Sequence, residues 1–273
     1  MRKSLLLCTL LLAPALALAD ECEHSAAREL KLDLAGAKAV VFEVQQHDLR
    51  LTGTAGGASA LRGRACASRA ELLPQLTLSQ RRDGDKLVVT LARDNPRSFS
   101  IGNQYAYLDI AGSVPNNLPV QLKVGSGDAQ VSGVSTLSAD VGSGDVEVRA
   151  VRGLVTAAVG SGDLDVRDVG SLNLLWVNSG DVKIERVGGD AKIGKIGSGD
   201  LELAGARGNV QIGSIGSGDA DVRDVGGDLT LESVGSGDLG ARGVGGNLSV
   251  QRVGSGDVHH SDVKGRVSLP AKR

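Results

Sequence analysis

Apolar and polar residues alternate in short segments that recur along the second half of the chain. In the unit that runs from residue 197 to residue 215, the apolar positions are Leu201, Leu203, Ala206, Val210, Ile212 and Ile215. Each half of this unit therefore has two apolar residues spaced by two, and a third after a step of three. Alternation with a period of two predicts a half-buried β-strand, and the glycines between the halves predict turns. The unit is predicted as two short strands joined by glycine-rich corners.

This unit is repeated at nearly constant spacing. Gly-Ser-Gly-Asp begins at Gly125, Gly142, Gly160, Gly197, Gly216, Gly235 and Gly254, and Asn178-Ser-Gly-Asp fills the one gap. The intervals are 17, 18, 18, 19, 19, 19 and 19 residues. A period of this length indicates a solenoid, in which each coil buries its apolar side chains against its neighbours. Parallel strands connected in this way strongly prefer the right-handed path. The predicted fold is all-β, a right-handed parallel β-helix with coils of about 19 residues.

The chain divides into three predicted parts. Residues 1–19 are predicted as a signal peptide, because Arg2 and Lys3 precede an apolar stretch and Ala17-Leu-Ala19 provides small residues before the cleavage point. Residues 20–120 are predicted as irregular β coils with a cap, since the open end of a solenoid has to be covered. Residues 121–273 are predicted as a regular β-helix with eight coils of the Gly-Ser-Gly-Asp type. Export to the periplasm, the cell surface or the extracellular space follows from the signal peptide.

The corner residues have predicted structural roles. The two glycines are expected to adopt positive φ angles in the turn. The aspartates are expected to cap the turn by accepting hydrogen bonds from its own backbone N–H groups. These turn-capping residues are Asp128, Asp145, Asp163, Asp181, Asp200, Asp219, Asp238 and Asp257.

A calcium-stabilised solenoid is an alternative interpretation of the same aspartates. Carboxylates stacked about 4.8 Å apart repel each other, and calcium between the coils would remove that repulsion. Calcium-binding β-rolls use Gly-Gly-x-Gly-x-Asp, whereas here the glycine directly precedes the aspartate. The turn-capping interpretation is therefore favoured, and no metal or other cofactor is predicted.

Charge and cysteine content narrow the classes of partner. Removal of residues 1–19 takes away Arg2 and Lys3 and no acid, so the net charge changes from −2 to −4. A weakly acidic chain lacks the basic surface that nucleic acid requires, so no nucleic-acid partner is predicted. The chain after residue 19 has no apolar segment long enough to span a membrane.

Cys22 and Cys66 remain after cleavage and are predicted to form a disulfide in an oxidising compartment.

An enzyme acting on polysaccharides is the third interpretation. Such sites need a distinct pair of carboxylates and aromatic side chains that stack on sugars. Trp176 is the only aromatic residue in the repeat, and the carboxylates recur with the coil so that no pair stands out. No catalytic residue is therefore predicted.

The run Leu108-Asp-Ile110, Val114-Pro115, Val120 and Val124-Gly-Ser-Gly-Asp128, followed by further Gly-Ser-Gly-Asp coils, resembles a known group. It is similar to the exported bacterial β-strand-repeat proteins grouped as adhesins of unknown function, over nearly all of residues 28–273. The resemblance implies the solenoid architecture and provides no catalytic residues. The expected function is a non-enzymatic scaffold or adhesin-like interaction module of the cell envelope. The expected partner is an envelope protein or a polysaccharide.

Overall fold

A computed structural model describes residues 22–56, 59–94 and 104–270. The predicted signal peptide, residues 1–19, lies outside these ranges. The strands are β1 (His24–Lys31), β2 (Ala39–Val44), β3 (Asp48–Thr54), β4 (Ala60–Ala67), β5 (Leu76–Asp83), β6 (Lys86–Arg93), β7 (Ala106–Pro115), β8 (Val120–Val124), β9 (Ala129–Ser132), β10 (Leu137–Val141), β11 (Val146–Val159), β12 (Leu164–Val177), β13 (Val182–Val187), β14 (Ala191–Ile196), β15 (Leu201–Ala206), β16 (Val210–Ile215), β17 (Ala220–Val225), β18 (Leu229–Val234), β19 (Leu239–Val244), β20 (Leu248–Val253), β21 (Val258–Val263) and β22 (Val267–Ser268). A 3₁₀ helix spans Ala70–Gln75. No helix in the described residues is long and apolar enough to cross a membrane.

The strands form two parallel stacks, which confirms the predicted β-solenoid. One stack contains β3, β9, the first halves of β11 and β12, and then β13, β15, β17, β19 and β21. The other contains β2, β8, β10, the second halves of β11 and β12, and then β14, β16, β18, β20 and β22. Each coil therefore contributes one strand to each stack.

The core is a continuous file of aliphatic side chains between the two stacks. Ile184, Leu203 and Val222 occupy equivalent positions in three successive coils, pair with one another in register, and are each 0% exposed. Full burial of a side chain of this size contributes about 1.5–3 kcal/mol. The repeated column of such residues is what holds the coils together, because one coil has too few apolar residues to form a core alone.

In the first half of each coil, the step of three in the apolar pattern has a backbone cause. One residue per coil lies between the second and third inward residues and adopts the left-handed conformation. These residues are Gly133, Ala150, Asp168, Arg186, Gly205, Asp224, Gly243 and Asp262. The left-handed residue bends the strand, so that the next side chain, such as Ala206 after Gly205, again points into the core. For residues other than glycine, this conformation costs about 1–2 kcal/mol. Burial of the side chain that follows offsets this cost.

The prediction that the Gly-Ser-Gly-Asp glycines adopt positive φ angles was wrong. The described glycines with positive φ are Gly36, Gly56, Gly84, Gly133, Gly205 and Gly243. At the corners, glycine is required for a different reason, which is close approach between coils. A Cβ added to Gly199 would lie 1.9 Å from the carbonyl oxygen of Gly180 in the preceding coil. The corners of successive coils stack backbone against backbone, and any side chain at this position would separate them.

The coils at the N-terminal end are not stacked in chain order. β2 pairs with β6 on one side and with β8 on the other, and β3 pairs with β7 and β9 in the same way. The coil formed by β2 and β3 therefore lies between the coil formed by β6 and β7 and the coil formed by β8 and β9. In chain order, the strands of the second coil (β2 and β3) come first and those of the outermost coil (β6 and β7) follow. The third coil (β8 and β9) then packs on the other side of the second coil.

Antiparallel strands cover this end. β4 pairs antiparallel with both β1 and β7, and β5 pairs antiparallel with β6. Leu72 and Leu76 are buried over the end of the core. Gln80 connects β1 to β5, because its amide donates to the carbonyl of Lys31 at 2.9 Å and accepts from the N–H of Asp33 at 3.1 Å.

The predicted disulfide is confirmed within this cap. Cys22 and Cys66 are bonded, with their Cα atoms 5.6 Å apart. Cys66 lies in β4 and is fully buried, and Cys22 precedes β1. The bond therefore ties the start of the described chain to the middle of the antiparallel cap.

The opposite end of the solenoid is open. The inward residues Val258 and Val263 of β21 are only partly buried, and Val267 of β22 is 36% exposed. His260 occupies the inward column in register with Ala241, yet it is exposed. The last coil has a neighbour on one side only, which explains the exposure of its inward column.

Candidate functional site

The aspartates of the Gly-Ser-Gly-Asp corners form one continuous hydrogen-bonded ladder. The backbone N–H of Asp145 donates to Oδ1 of Asp128 at 3.1 Å, and that of Asp257 donates to Oδ1 of Asp238 at 2.7 Å. The same bond connects every intermediate pair, through Asp163, Asp181, Asp200 and Asp219. The hydrogen bonds found here therefore join one coil to the next, whereas the sequence predicted bonds within a single turn. The side chain that was expected to cap its own corner instead ties the corner to its neighbour.

A second ladder, which the sequence reasoning missed, runs along the opposite corner. The N–H groups of Asn209, Asp228 and Asn247 each donate to the side-chain oxygen of the equivalent residue one coil earlier, over 2.7 to 2.9 Å. The ladder begins at Asp190 and ends at the N–H of Arg266. Asparagine alternates with aspartate in this column, so the bond requires a side-chain oxygen and not a negative charge. The Gly-Asp and Gly-Asn pairs at a 19-residue spacing were the sequence signal for it.

The Asp ladder borders an acidic groove of about 490 Å³. Its other wall is formed by outward residues of the adjoining strands, among them Glu147, Asp165, Lys183 and Glu202. Within the described residues, no group of three or more His, Cys, Asp or Glu side chains is placed so that it could hold a metal ion. The groove is therefore an acidic surface that follows the Asp ladder.

The strands that adjoin the Asp ladder carry what we call the charged face. It consists of Glu147, Arg149, Asp165, Arg167, Asp168, Lys183, Glu185, Arg186, Asp221 and Arg223. Its charges are paired with one another, both within a coil and between coils. Arg186 donates to both carboxylate oxygens of Asp168, at 2.6 and 2.8 Å, and these bonds hold the pKa of Asp168 below its ordinary value. A face whose charges are already paired offers few free groups to a ligand.

The other stack presents a different surface, which we call the Trp176 face. It consists of the outward residues Thr156, Asn173, Leu175, Trp176, Lys192, Gly194, Lys195, Gln211, Gly213, Ser214, Thr230, Glu232 and Ser233. Hydroxyl, amide and glycine positions predominate. The charged members are Lys192, Lys195 and Glu232, and none of the three forms a salt bridge within residues 22–56, 59–94 and 104–270.

Leu175 and Trp176 protrude from this face side by side. Their exposed fractions are 47% and 36%. They stand where the half-coil lengthens by one residue, because Leu174 pairs with Ala157 and Val177 pairs with Val159. The preceding coil has the single residue Ala158 at the place of this pair, and Ala158 is only 7% exposed. The added residue thus creates two consecutive outward positions and fills both with large apolar side chains.

The neighbouring coil places a cation beside this apolar pair. Lys195 pairs in register with Trp176, and Lys192 pairs with Asn173. Both lysines are exposed. The coils on either side carry no acid on this face, since their outward residues include Thr156 and Ala158 before the pair and Gln211, Gly213 and Ser214 after the lysines. The arrangement combines an exposed aromatic ring, an aliphatic side chain and two unpaired cations.

Among the described residues, His47 is the buried polar residue of the core, and it lies near the cap. It is 0% exposed, and its Nδ1 accepts a hydrogen bond from the N–H of Leu108 at 3.2 Å. Its Nε2 has no hydrogen-bond partner among the described residues. Burial removes the ring from water and lowers the pKa of His47 to about 4. His47 takes the place of the second corner glycine, as its carbonyl oxygen would lie 2.0 Å from a Cβ on Gly127.

Comparison with known proteins gives the fold and nothing narrower. No protein-family model and no curated protein matches the chain. A solved structure of a "putative adhesin" from Parabacteroides merdae matches with a TM-score of 0.52 at 14% identity, over 88% of this chain and 97% of that one. A "putative lipid binding protein" from Parabacteroides distasonis matches with a TM-score of 0.50 at 17% identity, over 90% of this chain and 98% of that one. At these identities the likeness shows the β-solenoid fold alone, as the resemblance predicted.

Proposed function

We propose that this chain is an exported, non-catalytic interaction module of the cell envelope that binds its partner with the Trp176 face. The observation that carries the proposal is the exposed pair Leu175 and Trp176 on the side of the solenoid. Exposed tryptophan is costly to leave in water and is concentrated at the centres of binding surfaces. The predicted signal peptide, the Cys22–Cys66 disulfide and the adhesin-type description of a protein with the same fold support the placement in the envelope.

The solenoid suits a module that binds without catalysing a reaction. The two strand stacks and the Asp ladder bond each coil to the next, and the second ladder adds bonds from Asp190 onward, so the outward side chains stand on a stiff support. A ligand that contacts such a surface does not have to order it first, which lowers the cost of binding. The carboxylates of the Asp ladder are engaged by backbone N–H groups, and the charged face is paired internally. These groups therefore serve the fold and are not arranged as acid and base for a reaction.

Binding to isolated envelopes tests this proposal. The mature chain, labelled on an added tag, is titrated onto envelope fractions of the source cells, and bound protein is measured by sedimentation. A Leu175→Ser/Trp176→Ser variant is expected to lose saturable binding. Leu154→Ser is the matched control, because Leu154 is also exposed, at 42%, but pairs with Ser171, four residues before Leu175 along β12. Equal binding by all three proteins, or saturable binding by none, would contradict the proposal.

Export has a separate test. The chain expressed with its own first residues is purified from cells and its N-terminus is determined by mass spectrometry. The expected mature chain begins at Asp20 and contains no free thiol. A chain that retains residues 1–19, or a reactive Cys66, would contradict export by cleavage into an oxidising compartment.

A further inference from the structure

We infer that the Trp176 face binds an acidic glycan, with a sugar ring stacked on Trp176 and a carboxylate or sulfate held by Lys195. The inference rests on the proposed function and names the class of ligand for the same surface. It follows from three features of that face: the exposed aromatic residue, the unpaired lysines next to it, and the hydroxyl and amide side chains of the flanking coils.

Trp176 provides the stacking surface. The carbon-bound hydrogens of a pyranose ring pack against the electron-rich face of an indole, which makes exposed tryptophan the characteristic contact for sugars. Leu175, the adjacent residue, widens the apolar area beside the ring. Trp176 is also the only tryptophan of the chain, so the rest of the face is free of competing stacking sites.

The charge around Trp176 is opposite in sign to that of the whole chain. The mature chain has a net charge of −4, yet the two coils that meet at Trp176 carry Lys192 and Lys195 on this face and no acid. Lys192 and Lys195 therefore attract an anionic ligand to this part of the surface. Neither Lys192 nor Lys195 forms a salt bridge within the described residues, so both can pair with such a ligand.

Hydroxyl and amide groups line the path of a chain-like ligand along the solenoid axis. Asn173, Lys192 and Gln211 are stacked in register in three successive coils, about 4.8 Å apart. Thr156 precedes them in the same column, and Thr230 follows. The hydroxyl and amide side chains of this row can both donate to and accept from the hydroxyl groups of successive sugar residues, and Lys192 can donate.

A membrane surface shares part of this chemistry but fits the geometry less well. Side chains that anchor proteins in lipid enter the bilayer by about 5–10 Å, usually from a helix or a loop tip. Leu175 and Trp176 lie on a strand, near the end of β12, and polar residues such as Asn173 and Gln211 share their face. The sheet would have to bury its whole polar face before these side chains reached the acyl chains. The glycan is therefore the partner we infer, and vesicles become an arm of the test.

The fluorescence of the single tryptophan tests the inference directly. The full mature chain is titrated with hexagalacturonate and with a hyaluronan hexasaccharide as acidic probes, and with cellohexaose as the neutral probe. We expect a saturable change in the emission of Trp176 and at least a twofold reduction of its quenching by acrylamide with one or both acidic probes. Cellohexaose is expected to bind at least tenfold more weakly.

Two variants that each remove one cation provide the matched comparison. Lys195→Gln removes the cation beside Trp176, and Arg252→Gln removes a cation from the same column three coils further along. We expect Lys195→Gln to weaken binding of the acidic probe at least fivefold and Arg252→Gln to change it less than twofold. Unchanged circular dichroism and melting of both variants show that the fold is retained.

Several results would overturn the inference while leaving the proposed function intact. A response to vesicles of phosphatidylcholine and phosphatidylglycerol, without a response to either acidic oligosaccharide, would indicate a lipid partner. A response to polyglutamate as large as that to the acidic oligosaccharides would indicate that charge alone drives binding. An emission that changes only with protein concentration would indicate self-association. An emission change with isolated envelopes but with none of the probes likewise excludes the acidic glycan. Absence of any envelope response instead refutes the proposed function.

Discussion

The backbone N–H of Asp219 donates a hydrogen bond to Oδ1 of Asp200, one coil earlier, over 2.8 Å. Equivalent bonds repeat along the whole Asp column. The aspartates of the repeat are therefore explained by what the corner backbone needs, which is an acceptor for an N–H group that the strands leave unpaired. The Asp carboxylates are thus used to hold the coils together, and the surfaces available for binding are formed by other residues.

Substitutions at Asp200 test this role. Asp200→Asn keeps a side-chain oxygen and is expected to change the free energy of unfolding by less than about 0.5 kcal/mol, as the natural Asn209 and Asn247 in the second ladder suggest. Asp200→Ala leaves the N–H of Asp219 without its partner and is expected to cost about 1 kcal/mol. Urea denaturation measures both. An Asn variant as unstable as the Ala variant would show that the charge is what matters.

Calcium provides a second test of the Asp ladder. If the carboxylates serve backbone N–H groups, the melting temperature should be the same in millimolar calcium and in chelator. A calcium-stabilised solenoid predicts a large rise, because binding to the folded state alone adds about 2.7 kcal/mol per site at one hundred times the dissociation constant. Differential scanning calorimetry distinguishes the two, and a rise of many degrees that chelator reverses would favour calcium.

Substitution of a corner glycine by alanine should destabilise the fold much more than the same substitution of a glycine at the bend. A Cβ on Gly199 would lie 1.9 Å from the carbonyl oxygen of Gly180, so Gly199→Ala has to separate two coils and is expected to cost about 3 kcal/mol. Gly205 has a φ of +83° and no atom closer than 3.7 Å to an added Cβ. Gly205→Ala should therefore cost only about 1 kcal/mol, and Ala150 shows that alanine is accepted at this place. Similar losses of unfolding free energy for both variants would argue against close approach as the reason for the corner glycine.

Acidification should weaken the cap through His47. The pKa of His47 is about 4 in the folded chain and near 6.5 in an unfolded one, so the unfolded chain takes up the proton first as the pH falls. The free energy of unfolding is therefore highest above pH 6.5. It falls by about 3 kcal/mol between pH 6.5 and pH 4. His47→Asn keeps an acceptor for the N–H of Leu108 and removes the titrating ring. Its stability should be flatter over this range, and a wild-type stability that is constant from pH 7 to pH 4 would refute the mechanism.

The architecture of the repeat was predictable because it depends on local periodicity. The alternation at Leu201 and Leu203 lies within one 19-residue unit and predicts the strands. The constant spacing of the glycines from unit to unit predicts their register. The disulfide was predictable from the parity of the cysteines after cleavage. The bend was visible as a step of three, although the left-handed residue that causes it, such as Arg186, has no fixed identity in the sequence.

Features that depend on contacts between coils were missed or misread. The corner glycines were assigned to positive φ because the sequence shows the residue and not the distance to Gly180 or its equivalents. The register between coils likewise decides that Thr156 lies beside Ser138 and Asn173 on the outward column, while Val155 is buried. The order of the first three coils depends on long-range pairing that alternation does not encode.

The candidate surface was only partly visible in the sequence. Trp176 stood out as the single aromatic residue of the repeat, but its exposure follows from one added residue in β12 that shifts two consecutive side chains outward. The pairing of the charged residues, which leaves Lys195 unpaired, likewise depends on the stacking of neighbouring coils.

Crosslinking from the two faces tests most directly whether the Trp176 face makes the functional contacts. A photoreactive amino acid is placed at Asn173, on the Trp176 face, or at Glu202, an exposed position on the opposite stack, in the full chain expressed in its own cells. Illumination is expected to attach envelope material to the protein from position 173 and not from position 202, as measured by the shift in mass of the purified chain. Adducts from position 202 with none from position 173 would contradict the account.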